Sequence, residues 1–325
     1  MMGADISYKC NGGPGKYKII FKIYRDCKGI SFNNPTIGAY IGNNGGTQCG
    51  SIGISAKRTS ISDVSLVCAG GTKPCNPQNT GNSGEGVEVH TYEATVDFNV
   101  APWSTTLAGS GCCEVNFTAG QCCRNGAINT GPGNNNFFAT AMINVCNLKK
   151  MSQKCNTSPA LSNDPVAYLC CNEPYTFNNG AVDTAENDSI SYDLVPGIAS
   201  LPNTSVNYTN PFTYQYPMSS FCIPPTTIKC TPNTNTKPPR GFFFDKGLGD
   251  IIFTPTECKQ VGIIVVQMTE YRKDTAGVWQ IIGRTRRDMQ LIVQDCGFNK
   301  PPRISGSVFN QVCEGDKICF TISGT

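Results

Sequence analysis

"VGIIVVQMTEYRKDTAGVWQIIGRTRRDMQLIVQDC", residues 261–296, reads as two long strands joined by one turn. Its first half opens on a run of aliphatic, mostly β-branched residues. "DTAG" at 274–277 then supplies the polar residues and glycine of a chain reversal. Strand signals of the same kind recur outward from this hairpin. "KYKIIFKIYRDC" (16–27) pairs with "ADISYKC" (4–10) across the turn "NGGPG". "TIGAYIG" (36–42), "SIGISAKR" (51–58), "VEVHTYEATVDF" (87–98), "CCEVNFT" (112–118) and "FFATAMINV" (137–145) follow. Beyond them lie "VAYLCCNEPYTF", "SISYDLV", "GFFFD" and "GDIIFTP". Helical periodicity is almost missing.

Polar stretches such as "GGTKPCNPQNTGNSGEG" separate the strands and must run over the surface. The strandless segment "NLKKMSQKCNTSP" (147–159) marks a boundary, and "GFNKPPRISG" reads as a linker. The expected architecture is therefore all-β: tandem, disulfide-stapled antiparallel β-sandwiches. Residues 1–147 form a cysteine-rich first unit, 148–296 a second, and 297–325 the start of a further one. Gly249 is expected to close a hairpin between "GFFFD" and "DIIFTP", and Pro255 to end that strand. Both termini read as cut: "MMGADISYKC" enters a strand at once, and "DKICFTISGT" stops as one finishes. No export signal stands in this numbering.

Nineteen cysteines are spread through the 325 residues. Six form adjacent pairs, Cys112-Cys113, Cys122-Cys123 and Cys170-Cys171. The rest are Cys10, Cys27, Cys49, Cys68, Cys75, Cys146, Cys155, Cys222, Cys230, Cys258, Cys296, Cys313 and Cys319. Zinc sites want two-ligand knuckles of the C-x2-4-C kind, and neither these nor a C-x-x-C redox pair occurs among the single cysteines. All nineteen are read as disulfide cysteines, one possibly unpaired because the number is odd, and hence as a sign of an oxidising compartment. In a strand, neighbouring side chains point to opposite faces, so each member of an adjacent pair should bridge to a different element.

A net charge of +3 with 15% charged residues offers no basic stripe for nucleic acid. The densest basic cluster, "GRTRRD" at 283–288, lies within one strand and reads as a solvated face. No apolar run approaches membrane-spanning length. No P-loop, HExxH, G-x-S-x-G or EF-hand loop is present, and His90, the sole histidine, reads as a hydrogen-bonded strand residue. No catalytic residues are assigned and the chain is not expected to be an enzyme.

Several blocks together carry a resemblance: "GADISYKC…YKIIFKIYRDC", "CCRNGAINT", "DPVAYLCCNEPYTFNNGAVD" and "GFFFDKGLGDIIFTPTEC…VVQMTEYRKDTAGVWQIIGRTRRDMQLIV". In this order they resemble the N-terminal region of large cysteine-rich surface proteins of the Bacteroidota, many of which end in a gliding-motility-associated, type IX sorting domain. That resemblance covers nearly the whole chain. It implies immunoglobulin-like or cadherin-like modules, an extracellular or cell-surface location, and adhesion or gliding-associated attachment. The implied partners are surface glycans or proteins, or neighbouring copies. A secreted carbohydrate-binding or carbohydrate-degrading protein, or a subunit of an extracellular filament, is the alternative. Cadherin-like modules commonly bind calcium at acidic turns, which singles out Asp183, Glu186 and Asp188 in "AVDTAENDSISY". The resemblance also implies O-glycosylation after aspartate, at Thr184, Ser189 and Thr275.

Overall fold

The computed structural model describes residues 2–29, 35–42, 48–65, 74–75, 86–131, 133, 135–165, 167–201, 204–222 and 230–297, with the backbone of 304–306 and 322–324. Eight strands come first: β1 (Gly3–Cys10), β2 (Lys16–Asp26), β3 (Thr36–Gly42), β4 (Gln48–Ser55), β5 (Lys57–Asp63), β6 (Val87–Asp97), β7 (Glu114–Gln121) and β8 (Phe137–Asn144). The short helices α1 (Trp103–Leu107) and α2 (Val145–Lys149) precede β7 and follow β8. The boundary expected at 147/148 falls inside α2.

The later strands are shorter until the final hairpin. They are β9 (Ala160–Leu161), β10 (Ala167–Cys170), β11 (Tyr175–Phe177), β12 (Ala181–Val182), β13 (Ser189–Leu194), β14 (Ile198–Ser200), β15 (Thr204–Ser205), β16 (Phe243–Phe244) and β17 (Ile251–Phe253). The hairpin itself is β18 (Val261–Lys273) and β19 (Trp279–Gln294), and a last small pair is β20 (Ile304–Gly306) with β21 (Ile322–Gly324).

β19 organises the molecule. One of its edges is taken by β18, from Val261↔Ile292 to Lys273↔Trp279. Its other edge is divided among three partners: Gly283–Arg286 pairs with β8, Arg287–Met289 with β1, and Leu291–Gln294 with β10, the last in parallel. The result is one 12-stranded sheet with the main order β4-β3-β7-β8-β19-β1-β2-β6-β5. β4 and β5 stand at opposite ends of that order yet are joined by a single residue, the buried Ala56. The sheet therefore rolls up, barrel-like, with β19 at one corner and the β4–β5 bend at the other. The expected all-β architecture holds, with antiparallel pairing throughout the described sheets except between β10 and β19. The expected picture of separate sandwiches in tandem does not describe this sheet, because β19 pairs with β8 and β1 of the first part as well as with β10 and β18 of the second. The physical reason lies in strand length: a 16-residue strand is long enough to offer its edge to three partners in succession.

Strand alternation fills the barrel-like interior. Ile37, Ala39 and Ile41 of β3, Val115, Phe117 and Ala119 of β7, and Ile19, Phe21 and Ile23 of β2 all point into one core. A second core lies between β10, β18 and β19 on one side and the three-stranded sheet β11-β17-β16 on the other. Leu169, Ile251, Phe253, Ile264, Val266 and Leu291 meet there. The unbroken apolar run at 261–266 now has its cause. Ile264 and Val266 face this second core, while Val261 and Ile263 face a third cluster with Ile128 and Val206. A strand covered on both faces needs no polar alternation. Gly249 takes a positive φ of 74° in the β16–β17 turn, where its N–H donates to the Asp245 carbonyl at 2.8 Å, and β17 ends before Pro255.

Sixteen cysteines among the described residues form eight disulfides: Cys10–Cys155, Cys27–Cys75, Cys49–Cys112, Cys113–Cys146, Cys122–Cys123, Cys170–Cys296, Cys171–Cys258 and Cys222–Cys230. Cys68, Cys313 and Cys319 lie outside the described residues. Adjacent cysteines diverge to different partners at 112/113 and at 170/171, as strand alternation requires. Cys122 and Cys123 are the correction, since they bond each other across a cis peptide. β7 ends at Gln121, so the opposite-face rule no longer governs the pair.

Candidate functional site

The acidic turn assembles as expected. One carboxylate oxygen each from Asp183, Glu186 and Asp188 lies within 4.8 Å of the others. Most of their capacity is already used. Asp183 accepts from the backbone N–H groups of Ala185 (3.0 Å), Glu186 (3.0 Å) and Asp188 (2.7 Å). Although burial opposes it, these three donors hold its carboxyl below the usual range. Asp188 receives Nε and Nη2 of Arg272 at 2.6 and 2.5 Å. The same guanidinium donates to the carbonyls of Gln153 and Cys155 and to Asn156 Oδ1 (2.8 Å). Arg272 thus supplies the positive charge that a cation would bring. Melts in chelator and in millimolar calcium are expected to coincide; a rise in Tm with calcium would show that an ion binds despite the arginine.

Behind Arg272 lies a buried acid that sequence reasoning missed. Glu270 is 0% exposed, and its oxygens accept from Tyr8 Oη (3.0 Å) and Asn156 Nδ2 (3.1 Å). The space comes from Gly283 opposite on β19, where a Cβ would collide with Glu270 Oε2 and the Tyr8 hydroxyl. Burial, and then the charges of Asp188 and Asp183, push the Glu270 carboxyl up to about 8, so it keeps its proton at neutral pH. Tyr8 can accommodate that proton, because its own hydroxyl has a second acceptor in the Met142 carbonyl at 3.4 Å.

The linkage has a definite sign. A folded pKa raised above the ordinary glutamate value of about 4.3 gives stability that is full below that value. It is lost as pH rises towards 8. Wild-type Tm is therefore expected to fall more steeply between pH 5 and pH 8 (roughly the window between the two pKa values) than that of Glu270→Gln, which has no proton to lose. Equal slopes in the two proteins would refute the assignment.

The outer face of the sheet carries an open cleft of about 440 Å³. Its floor is built by register. Across four adjacent strands, Tyr40 stands opposite Asn116, Asn116 opposite Met142, and Met142 opposite Arg284. One step along the strands, Thr118 faces Thr140, Thr140 faces Arg286, and Arg286 faces Gln267 of β18. Strands lie about 4.8 Å apart, so the floor from β3 to β18 is about 19 Å across. Ile198 and Leu201 flank it, and Glu114 is the single carboxylate among the described residues of its lining.

Two arginines on one strand face dominate the charge of this cleft. Arg284 Nη1 is 3.9 Å from Glu114 Oε1. Arg286 donates through Nε to Gln267 Oε1 at 2.9 Å and has no carboxylate partner among the described residues. Burial, and then the like charge of Arg284, lower its pKa. The "GRTRRD" cluster is therefore not the solvated face expected of it. Arg284 and Arg286 line the cleft, and Arg287, on the opposite face, is 1% exposed. Arg287 reaches Asp5 Oδ2 (3.3 Å) and the Asn163 carbonyl (2.5 Å). Alternation along the strand was the available signal; which face is covered depended on packing.

The remaining expected sites lie apart from the cleft. His90 is buried on β6, with Nε2 2.6 Å from Glu88 Oε1, and Arg25 binds the same carboxylate. Thr184, Ser189 and Thr275 are all exposed, Ser189 as the first residue of β13 and Thr275 in the β18–β19 turn. No helix among the described residues is long and apolar enough to cross a membrane. Comparison of the chain with protein-family models, with curated proteins and with solved structures finds no match.

Proposed function

We propose that the chain is a structural and adhesive ectodomain of a large secreted cell-surface protein. The observation that carries this reading is the set of eight disulfides, which cross-link both ends of the sheet system. Those that close long loops, such as Cys10–Cys155 and Cys170–Cys296, each constrain the unfolded chain by about 2–5 kcal/mol, whereas the adjacent pair Cys122–Cys123 closes none. Such bonds persist in oxidising, extracellular surroundings. The resemblance to gliding-associated, type IX-secreted adhesins of the Bacteroidota points the same way. On this reading the part around β11, β16 and β17 is a cadherin-like or immunoglobulin-like module.

The role is binding rather than catalysis. Glycoside hydrolysis ordinarily uses two carboxyl groups flanking the bond, and among the described residues the lining of the cleft offers only Glu114. A carbohydrate-binding role is the favoured variant of this function, because the cleft floor is a ladder of amide, hydroxyl and guanidinium groups.

Mass spectrometry of native material tests the proposal in one experiment. Alkylation without reduction is expected to modify one cysteine at most, and the intact mass to exceed the bare polypeptide through glycans on Thr184, Ser189 or Thr275. Four or more alkylated cysteines would overturn the extracellular reading, and a bare-chain mass would overturn the glycosylation.

A further inference from the structure

We infer that the cleft across β3, β7, β8, β19 and β18 is a binding site for a carboxylate-bearing saccharide, with Arg286 as the carboxylate anchor. This rests on the proposed surface-binding function and names its ligand class and its residues. The first observation is charge. Arg284 and Arg286 project from alternate positions of one strand into the same cleft, against one carboxylate among the described lining residues, Glu114, that reaches Arg284 only at 3.9 Å. The terminal nitrogens of Arg286 donate no hydrogen bond within the described protein, its Nε being the atom that holds Gln267. A guanidinium fork beside a like charge is matched by a bidentate carboxylate, which satisfies both nitrogens and offsets the repulsion.

The second observation is the kind of surface around that fork. Asn116, Thr140 and Gln267 each present groups able to donate and accept, as vicinal hydroxyls require. Tyr40 offers apolar area to the C–H face of a ring, with Ile198 and Leu201 at the flank. An acidic peptide fits less well. Every strand of the floor is paired on both edges, so an extended peptide finds no open ladder to join. The breadth of the floor, about 19 Å, suits an oligosaccharide lying across the strands.

The test uses the full oxidised chain and calorimetric titration with an oligomer of a hexuronic acid. Its methyl-esterified counterpart and an oligoglutamate of equal charge serve as the other two probes. The uronate oligomer is expected to bind, and Arg286→Gln to weaken it about tenfold or more, the usual worth of a hydrogen bond to a charged group. Asn116→Ala, which keeps both charges, is expected to weaken it by a smaller factor. Lys22→Gln, away from the cleft, should leave it unchanged. A non-reducing melt of each variant verifies folding, and Arg286→Lys replaces Arg286→Gln if that protein is unstable.

Three outcomes overturn the inference: equal binding of the esterified oligomer, binding of oligoglutamate alone, or indifference to both Arg286→Gln and Arg286→Lys. None of these touches the free-thiol count on which the ectodomain reading stands. A reduced protein would in turn defeat that reading without altering the titration.

Discussion

Asp288→Ala is expected to lower the free energy of unfolding by about 3–5 kcal/mol, the cost of leaving one partner of a buried ion pair alone. Asp288 on β19 receives Nη1 and Nη2 of Arg124 at 2.9 and 2.7 Å, and the two side chains are 3% and 2% exposed. Arg124 also lies over the Phe137 ring, 5.0 Å from its centroid, so it cannot swing out to water without opening the core of β8. Removing the carboxylate strands a guanidinium that stays charged at any accessible pH. The double variant Arg124→Met/Asp288→Ala is expected to recover most of the loss, because it removes both charges and leaves apolar volume behind. Denaturant unfolding of the three proteins with disulfides intact measures this. A double variant as unstable as the single one would show that the loss comes from cavity formation rather than from the stranded charge.

Removal of the Cys10–Cys155 bond, as the double alanine variant, is expected to cost about 2–5 kcal/mol. The bond ties the end of β1 to the segment after α2 across a sequence separation of 145. Chain entropy makes so long a loop costly to close. On that argument the Cys222–Cys230 bond, with a separation of 8, contributes less by about 2–3 kcal/mol. Local geometry adds to the difference. The residues beside Cys155 hold Tyr8 from two sides, through Asn156 Nδ2 (3.0 Å) and the Ser158 hydroxyl (3.0 Å to the Tyr8 N–H). Losing the bond therefore loosens the surroundings of Glu270 as well. Unfolding under non-reducing conditions, run side by side on the two variants, decides it. Equal losses would exclude the loop-entropy account.

How much was legible beforehand can be judged from particular elements. The hairpin of β18 and β19 and the pairing of β1 with β2 stand where β-branched runs and turn residues put them. β3 matches its expected span residue for residue. The run 51–58, expected as one strand, divides instead at the buried Ala56 into β4 and β5, which lie in different walls of the rolled sheet. A local pattern cannot show that bend, because the residues on both sides remain strand-like. The acidic turn was equally visible as three nearby carboxylates. Arg272, more than eighty residues further on, was not visible as their partner.

By itself, the amino-acid sequence determined the strand content, the alternation of faces along each strand and the disulfide chemistry, because these depend on residue type and on spacing of a few positions. Only the tertiary structure decided which cysteine meets which, that Glu270 is sealed beside Tyr8, and that β19 serves β8, β1 and β10 in turn. It also decided the site. Tyr40, Asn116, Met142 and Arg284 are far apart in the chain and come into line through the register of four paired strands. Register is a non-local quantity, set by which faces find cores to cover them. A slip of one residue would turn the same arginines to the opposite face.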